Sequence, residues 1–125
     1  MKISQRKVVD ALIAINRLSK QPMSSFTAYK LFRLKKKLKD VSDFQAEQED
    51  KIIAELGGKV NERGVVTFDG DDKESKCAEF IKRQEELGNM ECDMDDDRIL
   101  IVLKEIHEIS LSDMEVLDPF IEWKE

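Results

Sequence analysis

The chain has 125 residues, of which 41% are hydrophobic and 38% are charged, with five glycines and two prolines. That length fits a single domain, and so much charge with so little glycine and proline favours an elongated, helix-rich protein over a compact β-fold. No apolar run approaches the roughly 20 residues that would span a bilayer, and no signal peptide follows Met1, so we expect a cytoplasmic protein.

The formal net charge of −6 is divided unevenly along the chain. Residues 1–60 hold 13 basic and 7 acidic side chains, a balance of +6, whereas residues 61–125 hold 8 basic and 20 acidic side chains, a balance of −12. This division allows either head-to-tail self-association or binding of the acidic half to a basic protein. Cys77 and Cys92 form no CxxC motif, and we interpret them as buried or free thiols in a reducing compartment.

The first half of the chain is predicted to form two helices. Ser4 is placed to cap a first helix that ends near Leu18. A second helix is predicted from Ser24 to Leu56, because this stretch of 33 residues lacks glycine and proline and its leucines recur at helical spacing. Gly57 would end it. The short connection between the two predicts an antiparallel hairpin, in which the second helix extends well beyond the first.

The long helix segregates its charges, with bases in its first half and acids in its second. We interpret the lysine run at residues 35–37 as a solvated helix face, with a surface for an acidic partner as the alternative. Aromatic residues make up 6% of the chain and are not interleaved with this run in the sequence. A base-stacking surface is therefore unsupported, and direct binding of nucleic acid is not expected.

The acidic half, residues 58–125, is predicted to begin with a strand and a helix. Val65–Phe68 is β-branched and aromatic, which favours a short strand. Asp71 is predicted to cap a third helix that packs along the uncovered part of the long one. The inner face of this helix is predicted to contain five residues at helical spacing: Cys77, Phe80, Ile81, Gln84 and Leu87.

Three more segments follow in the acidic half. Residues 90–94 alternate between apolar and acidic, which predicts a strand with one solvated face. Ile99–Leu103 is predicted to be a strand, although a buried helical turn fits the same residues. Ser112–Glu115 has the pattern of a capping box for a short helix that Pro119 ends. The apolar tail at 120–123 is expected to close the core, with a contact to a partner as the less favoured alternative.

Together these elements predict one α+β domain, residues 1–125, that is mainly helical. It consists of a helical hairpin (1–57) with one long central helix, a third helix and a small sheet of two or three strands. Its candidate partner-binding residues are two acidic clusters and the lysine run: Asp93, Asp95, Asp96, Asp97, Asp69, Asp71, Asp72, Lys35, Lys36 and Lys37.

The acidic clusters are poor candidates for metal binding. The first begins like an EF-hand calcium loop, but the sixth position is Arg98 instead of glycine and the twelfth is Lys104 instead of glutamate. The two clusters could meet in the fold around Mg²⁺, which the sequence leaves open. His107 is the single histidine and has no recognisable nucleophile motif or second imidazole to act with. We therefore expect no cofactor, no metal and no enzymatic activity.

The C-terminal run Ile109–Glu122 has the sequence ISLSDMEVLDPFIE. Together with the short first helix, Pro22, the long charged helix and the acidic strand region, it resembles a family of small uncharacterised proteins encoded by tailed bacteriophages and prophages of Gram-positive bacteria, the DUF1617-like group. The resemblance extends over most of the chain in layout. It implies expression in the cytoplasm of an infected host cell and brings no catalytic residues.

The expected function is non-enzymatic: a phage or prophage protein that binds another protein in an assembly or accessory role. The alternative is an inhibitor of a host defence nuclease, in which the acidic half imitates nucleic-acid phosphates in a basic channel. A metal-dependent enzyme that uses the two aspartate clusters is a third, less favoured hypothesis.

Overall fold

The computed structural model describes all residues, Met1–Glu125, and contains four helices and six short strands. The helices are α1 (Gln5–Leu18), α2 (Ser25–Glu55), α3 (Lys73–Asn89) and α4 (Leu111–Leu117). The strands are β1 (Lys2–Ser4), β2 (Lys59–Val60), β3 (Val66–Thr67), β4 (Glu91–Asp93), β5 (Ile99–Val102) and β6 (Ile121–Lys124), and a 3-10 turn, Leu103–Glu105, follows β5. The fold is α+β and mainly helical, which confirms the predicted class. No helix combines the length and the apolar content that crossing a membrane requires.

The first two helices begin at the predicted caps. Ser4 Oγ accepts a hydrogen bond from the backbone N–H of Lys7, and Ser24 Oγ accepts one from the N–H of Thr27. Gly57 follows the end of α2 with a φ of 71°, which is a left-handed conformation that glycine adopts without strain. The 31 residues of α2 span about 46 Å, which makes it the longest element of the fold. Both of its ends are set by local signals, the serine cap at the start and the glycine after the last turn.

Helices α1 and α2 form the predicted antiparallel hairpin. The start of α1 lies beside the middle of α2, where the side chains of Gln5 and Gln45 are hydrogen-bonded. The hairpin contributes large, fully buried residues, among them Ile15 and Leu38, to a core of 15 buried residues that also includes β5, α4 and the start of β6. The main core therefore sits around the first half of α2.

A second, smaller core covers the other half of α2, where α3 packs antiparallel to it. Arg83 Nη2 donates to Glu55 Oε2 at 2.7 Å, and Gln84 Nε2 donates to Glu49 Oε1 at 3.1 Å. The five buried residues of this core are Ile52, Ile53, Phe68, Phe80 and Leu87. A Cβ placed at Gly58 would lie 2.6 Å from Phe68 Cε1, so the close packing of the β2–β3 hairpin requires glycine there.

The predicted start of α3 is wrong by one residue. Asp72, not Asp71, precedes the helix, and its carboxylate makes no capping hydrogen bond. Asp72 Oδ1 instead lies 3.3 Å from Lys76 Nζ, one turn along. An ion pair on the helix surface has replaced the expected cap.

The predicted inner face of α3 is only partly right. Phe80 and Leu87 are buried, but Cys77, Ile81 and Gln84 are exposed. The side that faces α2 passes through the buried positions 80 and 87 and the half-buried positions 76 and 83 instead. Apolar residues occur on both sides of this helix, and contact with Phe68 and the bond from Arg83 to α2 select the side that is buried.

The six strands form three separate two-stranded sheets. Strands β1 and β4 are antiparallel, β2 and β3 form an antiparallel hairpin, and β5 pairs with β6 in parallel, with Ile99 opposite Ile121. The strand at 99–102 is confirmed, and the helical alternative for these residues is wrong. The tail closes the core as expected, with Phe120 and Ile121 buried, but it does so as a strand that the sequence did not indicate.

The cap of α4 lies two residues before the predicted one. Ser110 Oγ, not Ser112, accepts a hydrogen bond from the backbone N–H of Asp113 at 3.1 Å. Two overlapping patterns compete here, a serine followed three residues later by an acid at 110–113 and at 112–115. The pattern at 110–113 is the one that forms the cap, because its acid, Asp113, also pairs with Arg17 of α1.

Candidate partner-binding surface

The first half of α2 carries an exposed surface of alternating aromatic and basic side chains. We call it the basic–aromatic face, and its members are Phe26, Tyr29, Lys30, Phe32, Arg33 and Lys36. The three aromatic residues are 69%, 58% and 54% exposed, respectively. The opposite side of the same turns is buried through Leu31, Leu34 and Leu38. The core is therefore completed by the leucines, and the three aromatic rings remain on the surface.

Contacts between aromatic and cationic groups organise this face. Lys30 Nζ lies 4.5 Å from the centre of the Phe26 ring, and Lys36 Nζ lies 5.5 Å from that of Phe32. The rings of Tyr29 and Phe32 are stacked with their centres 6.4 Å apart. Ammonium groups above aromatic rings are attracted by the ring quadrupole, so these contacts hold the exposed side chains in a defined arrangement.

The sequence interpretation separated the aromatics from the lysine run, and the structure brings them together. Residues three and four apart are neighbours on a helix, so Phe26 meets Lys30 and Phe32 meets Lys36. Composition over the whole chain hid this pattern, whereas aromatic–basic pairs at i and i+4 would have revealed it. No aspartate or glutamate lies between residues 24 and 39, so the charges that α2 itself contributes to this face are all cationic.

A groove with an apolar floor adjoins the basic–aromatic face. It encloses about 330 Å³ between α2 and the start of β5, where Phe26, Leu34 and Ile99 provide apolar surface. Lys30 Nζ donates a hydrogen bond to the carbonyl of Leu100 at 2.8 Å and so ties α2 to β5 beside this groove. An apolar side chain of a partner would find a site here, bordered by cations.

The predicted lysine run diverges around the helix. Lys35, Lys36 and Lys37 are all exposed, but successive residues on a helix point about 100° apart. Lys36 lies on the basic–aromatic face, and Lys37 lines the groove beside that face with its Nζ 3.1 Å from Asp95 Oδ2. Lys35 lines a separate cavity near the α1–α2 connection. The run is therefore not one patch.

The first acidic cluster is partly neutralised within the molecule. Asp95 pairs with Lys37, and Asp96 Oδ1 lies 3.0 Å from the terminal ammonium of Met1. Asp93 lies opposite Lys2 in the β1–β4 ladder, and Asp97 is exposed without an ion pair. Two predicted partner-binding groups, a lysine and an aspartate, thus bind one another.

The second acidic cluster lies at the other end of α2. Asp69, Asp71 and Asp72 follow Phe68, which packs against Gly58 just past the end of this helix. The first cluster lies near Lys37, about 18 residues or 27 Å back along α2 from Glu55. The clusters do not converge, and nowhere do three His, Cys, Asp or Glu side chains gather in a way that could hold a metal ion.

A cavity of about 570 Å³ lies between the end of α1 and the segment before α4. An ion pair forms part of its wall: Arg17 Nη2 lies 2.6 Å from Asp113 Oδ1, and Arg17 Nε lies 3.2 Å from Oδ2. The hydrogen bond and charge of Arg17 lower the pKa of Asp113 and the carboxylate raises the pKa of Arg17, against opposing desolvation. His107 is exposed at the rim, and its backbone N–H donates to Gln21 Oε1 at 2.7 Å. These polar groups join α1 to the later loop.

Acid titration of stability will report on the Arg17–Asp113 pair. Because the pKa of Asp113 is lowered by folding, its contribution is present above the unfolded pKa of about 4 and is lost as the pH falls through the folded value. We expect the urea midpoint of wild type to fall more steeply below about pH 4 than that of Asp113→Asn. Asp97→Asn, at an exposed aspartate without an ion pair, is the control and should follow wild type. Parallel curves for wild type and Asp113→Asn would contradict the assignment.

Comparison with known proteins gives no relative on which a function could rest: no family model, curated protein or solved structure matches this chain. The function therefore has to be inferred from the surface of the protein itself. The fold and this face together define the class of protein. It is a mainly helical α+β protein whose long central helix exposes aromatic and basic side chains.

Proposed function

We propose that this protein is a non-enzymatic interaction protein that binds another protein through the basic–aromatic face of α2. The observation that carries the proposal is the exposure of Phe26, Tyr29 and Phe32 among cationic side chains on one rigid helix. Leaving three large rings in water forgoes favourable burial, so a partner that covers them gains affinity. Aromatic residues and arginine are also the types that most often dominate interface energies.

The charge of the face defines the chemistry of its partner. The basic members of the face, Lys30, Arg33 and Lys36, have no acidic residue near them on α2, so the partner surface is anionic with apolar side chains among its carboxylates. Oppositely charged surfaces accelerate association and exclude wrong partners, while the aromatic contacts provide most of the affinity. We place this binding in the cytoplasm of a host cell, in an assembly or accessory role for a tailed phage or prophage, on the strength of the layout of the chain.

The alternative function, imitation of nucleic-acid phosphates by the aspartates at 93–97, has less support. Asp95 and Asp96 already pair with cations of the same molecule. A basic channel would have to compete for these carboxylates, because their charge is partly screened by Lys37 and the terminal ammonium. Exposed pairs of this kind contribute only about 0–1 kcal/mol to stability, so they can be removed without unfolding the protein.

Affinity capture from the lysate of an infected host tests these two functions side by side. The α2 face variant combines Arg33→Glu and Lys36→Glu, and the cluster variant replaces Asp93, Asp95, Asp96 and Asp97 by Asn. We expect wild type and the cluster variant to retain the same virion or assembly protein, and the α2 face variant to lose it. Capture of a nuclease by wild type, with loss by the cluster variant alone, would support phosphate mimicry and contradict the proposal.

A further inference from the structure

The outward side of α3 has two exposed apolar residues with a glutamate at each end and Lys82 beside them. Glu74, Ala78, Ile81 and Glu85 recur at intervals of four, three and four residues, opposite the buried Phe80 and Leu87, and we call these four the acidic α3 face. All four are exposed, and Ile81 is 50% exposed. This face has the anionic and apolar chemistry that the basic–aromatic face requires of its partner.

The two faces also match in size. The basic–aromatic face runs from Phe26 to Lys36 along ten residues of helix, about 15 Å, and the acidic α3 face runs from Glu74 to Glu85 along eleven residues, about 16 Å. On α2 the cations Lys30, Arg33 and Lys36 lie among the rings, whereas on α3 a glutamate lies at each end of the apolar pair. Opposite charges across a contact favour one register of two helices over others.

One molecule cannot bring its own two faces together. Arg83 of α3 is bonded to Glu55 at the end of α2, whereas Lys36 lies 19 residues earlier, about 28 Å along the same rigid helix. Both faces therefore stay uncovered in a single chain. The balances of +6 in residues 1–60 and −12 in residues 61–125 act in the same direction, since they attract opposite ends of two molecules.

We infer that a second copy of this chain is a partner of the basic–aromatic face, and that its acidic α3 face is what binds there. The inference rests on the proposed function, because it takes the α2 surface to be a protein-binding site. The contact is heterologous, joining two different surfaces head to tail, so it produces a closed ring or an open filament depending on the rotation between copies. Phe26, Tyr29 and Phe32 would then cover Ile81 and Ala78, with carboxylates of α3 beside the cations of α2.

Sedimentation equilibrium with charge-reversed variants tests this contact. The α2 face variant (Arg33→Glu, Lys36→Glu) keeps its acidic α3 face, and the matching α3 face variant (Glu74→Lys, Glu85→Lys) keeps its basic–aromatic face. We expect the average mass of wild type to rise with concentration and to fall back in high salt. We expect each variant alone to have its association weakened by about tenfold or more, because like charges then meet. An equimolar mixture of the two variants should recover association, since opposite charges face one another again.

The remaining outcomes overturn the inference. If wild type stays monomeric at every concentration up to about 1 mM, the inference is wrong. The free energy of self-association would then be weaker than about 4 kcal/mol, the value that corresponds to a dissociation constant of about 1 mM. Association that persists in both variants would locate the contact elsewhere. Binding of a fluorescent single-stranded oligonucleotide by wild type, lost in the α2 face variant, would assign the face to nucleic acid. A monomeric wild type that still captures a phage protein through the α2 face would overturn self-association and leave the proposed function standing.

Discussion

Replacing Phe26, Tyr29 and Phe32 together by alanine is expected to weaken binding of the captured partner about a hundredfold or more. The rings are exposed and fixed in place by stacking and by lysine contacts, which is the arrangement of an interface anchor. Truncating one such anchor commonly costs about 2 kcal/mol, and a tenfold loss of affinity corresponds to 1.4 kcal/mol. Isothermal titration of the partner with wild type and with this triple variant measures the effect.

The same triple variant should remain folded, which separates loss of binding from loss of structure. Exposed residues contribute little to the core, and alanine has the higher helix propensity, so the free energy of unfolding should change by less than about 0.5 kcal/mol. Ile13→Ala, on the exposed side of α1, is the matched control for removing an exposed apolar side chain elsewhere and should bind as wild type does. Unchanged affinity in the triple variant would show that the aromatic rings take no part in binding.

Ile121→Ala is expected to lower the free energy of unfolding by about 2–5 kcal/mol. Ile121 is fully buried, lies opposite Ile99 in the parallel β5–β6 pair and belongs to the main core around α1 and α2. Its removal loses buried apolar surface and leaves a cavity that well-packed neighbours fill only in part. Urea unfolding followed by circular dichroism measures the change.

Leu111→Ala is the matched control for this substitution, because Leu111 is 73% exposed at the start of α4. It should change the free energy of unfolding by less than about 0.5 kcal/mol. If Ile121→Ala were no more destabilising than Leu111→Ala, the C-terminal strand would not be part of the cooperative core. The main core would then have to be complete without β6.

The features that the sequence predicted correctly depend on neighbouring residues. The caps at Ser4 and Ser24 and the glycine after α2 are local signals, and the apolar spacing of α1 and α2 needs no knowledge of the rest of the fold. The strand character of residues 99–102 follows from β-branched residues in a short run. Such signals are contained within a few turns of chain, so they were available before any contact was known.

The features that the sequence missed depend on distant contacts. Strand β6 exists because residues 121–124 pair with β5, about twenty residues earlier, and parallel pairing leaves no local turn signal. Ser110 is chosen over Ser112 because Asp113 reaches Arg17, which is 96 residues away. The inner side of α3 is likewise chosen by its packing against α2 and Phe68.

The candidate site was half predicted, for a similar reason. Lysines 35–37 were predicted to be binding residues, but of the three only Lys36 contacts a ring of the basic–aromatic face, and Lys37 lines the adjoining groove while it is paired with Asp95. Charge counts along the chain ignore the 100° between successive helical residues, so they group side chains that point apart. The aromatic members were overlooked because they are few in number, although helix geometry places them among the cations.

The most direct test of the central claim, that the basic–aromatic face is a binding surface, is site-specific photocrosslinking in the cell that expresses this chain. A benzophenone side chain is placed at Phe32, and in a parallel sample at Leu111, an exposed apolar residue outside the face. The account predicts a discrete adduct from position 32 that disappears when Arg33→Glu and Lys36→Glu are added, and none from position 111. An adduct with a second copy supports head-to-tail assembly, and an adduct with a different protein supports the binding function alone. No adduct from position 32, or equal labelling from both positions, would contradict the claim.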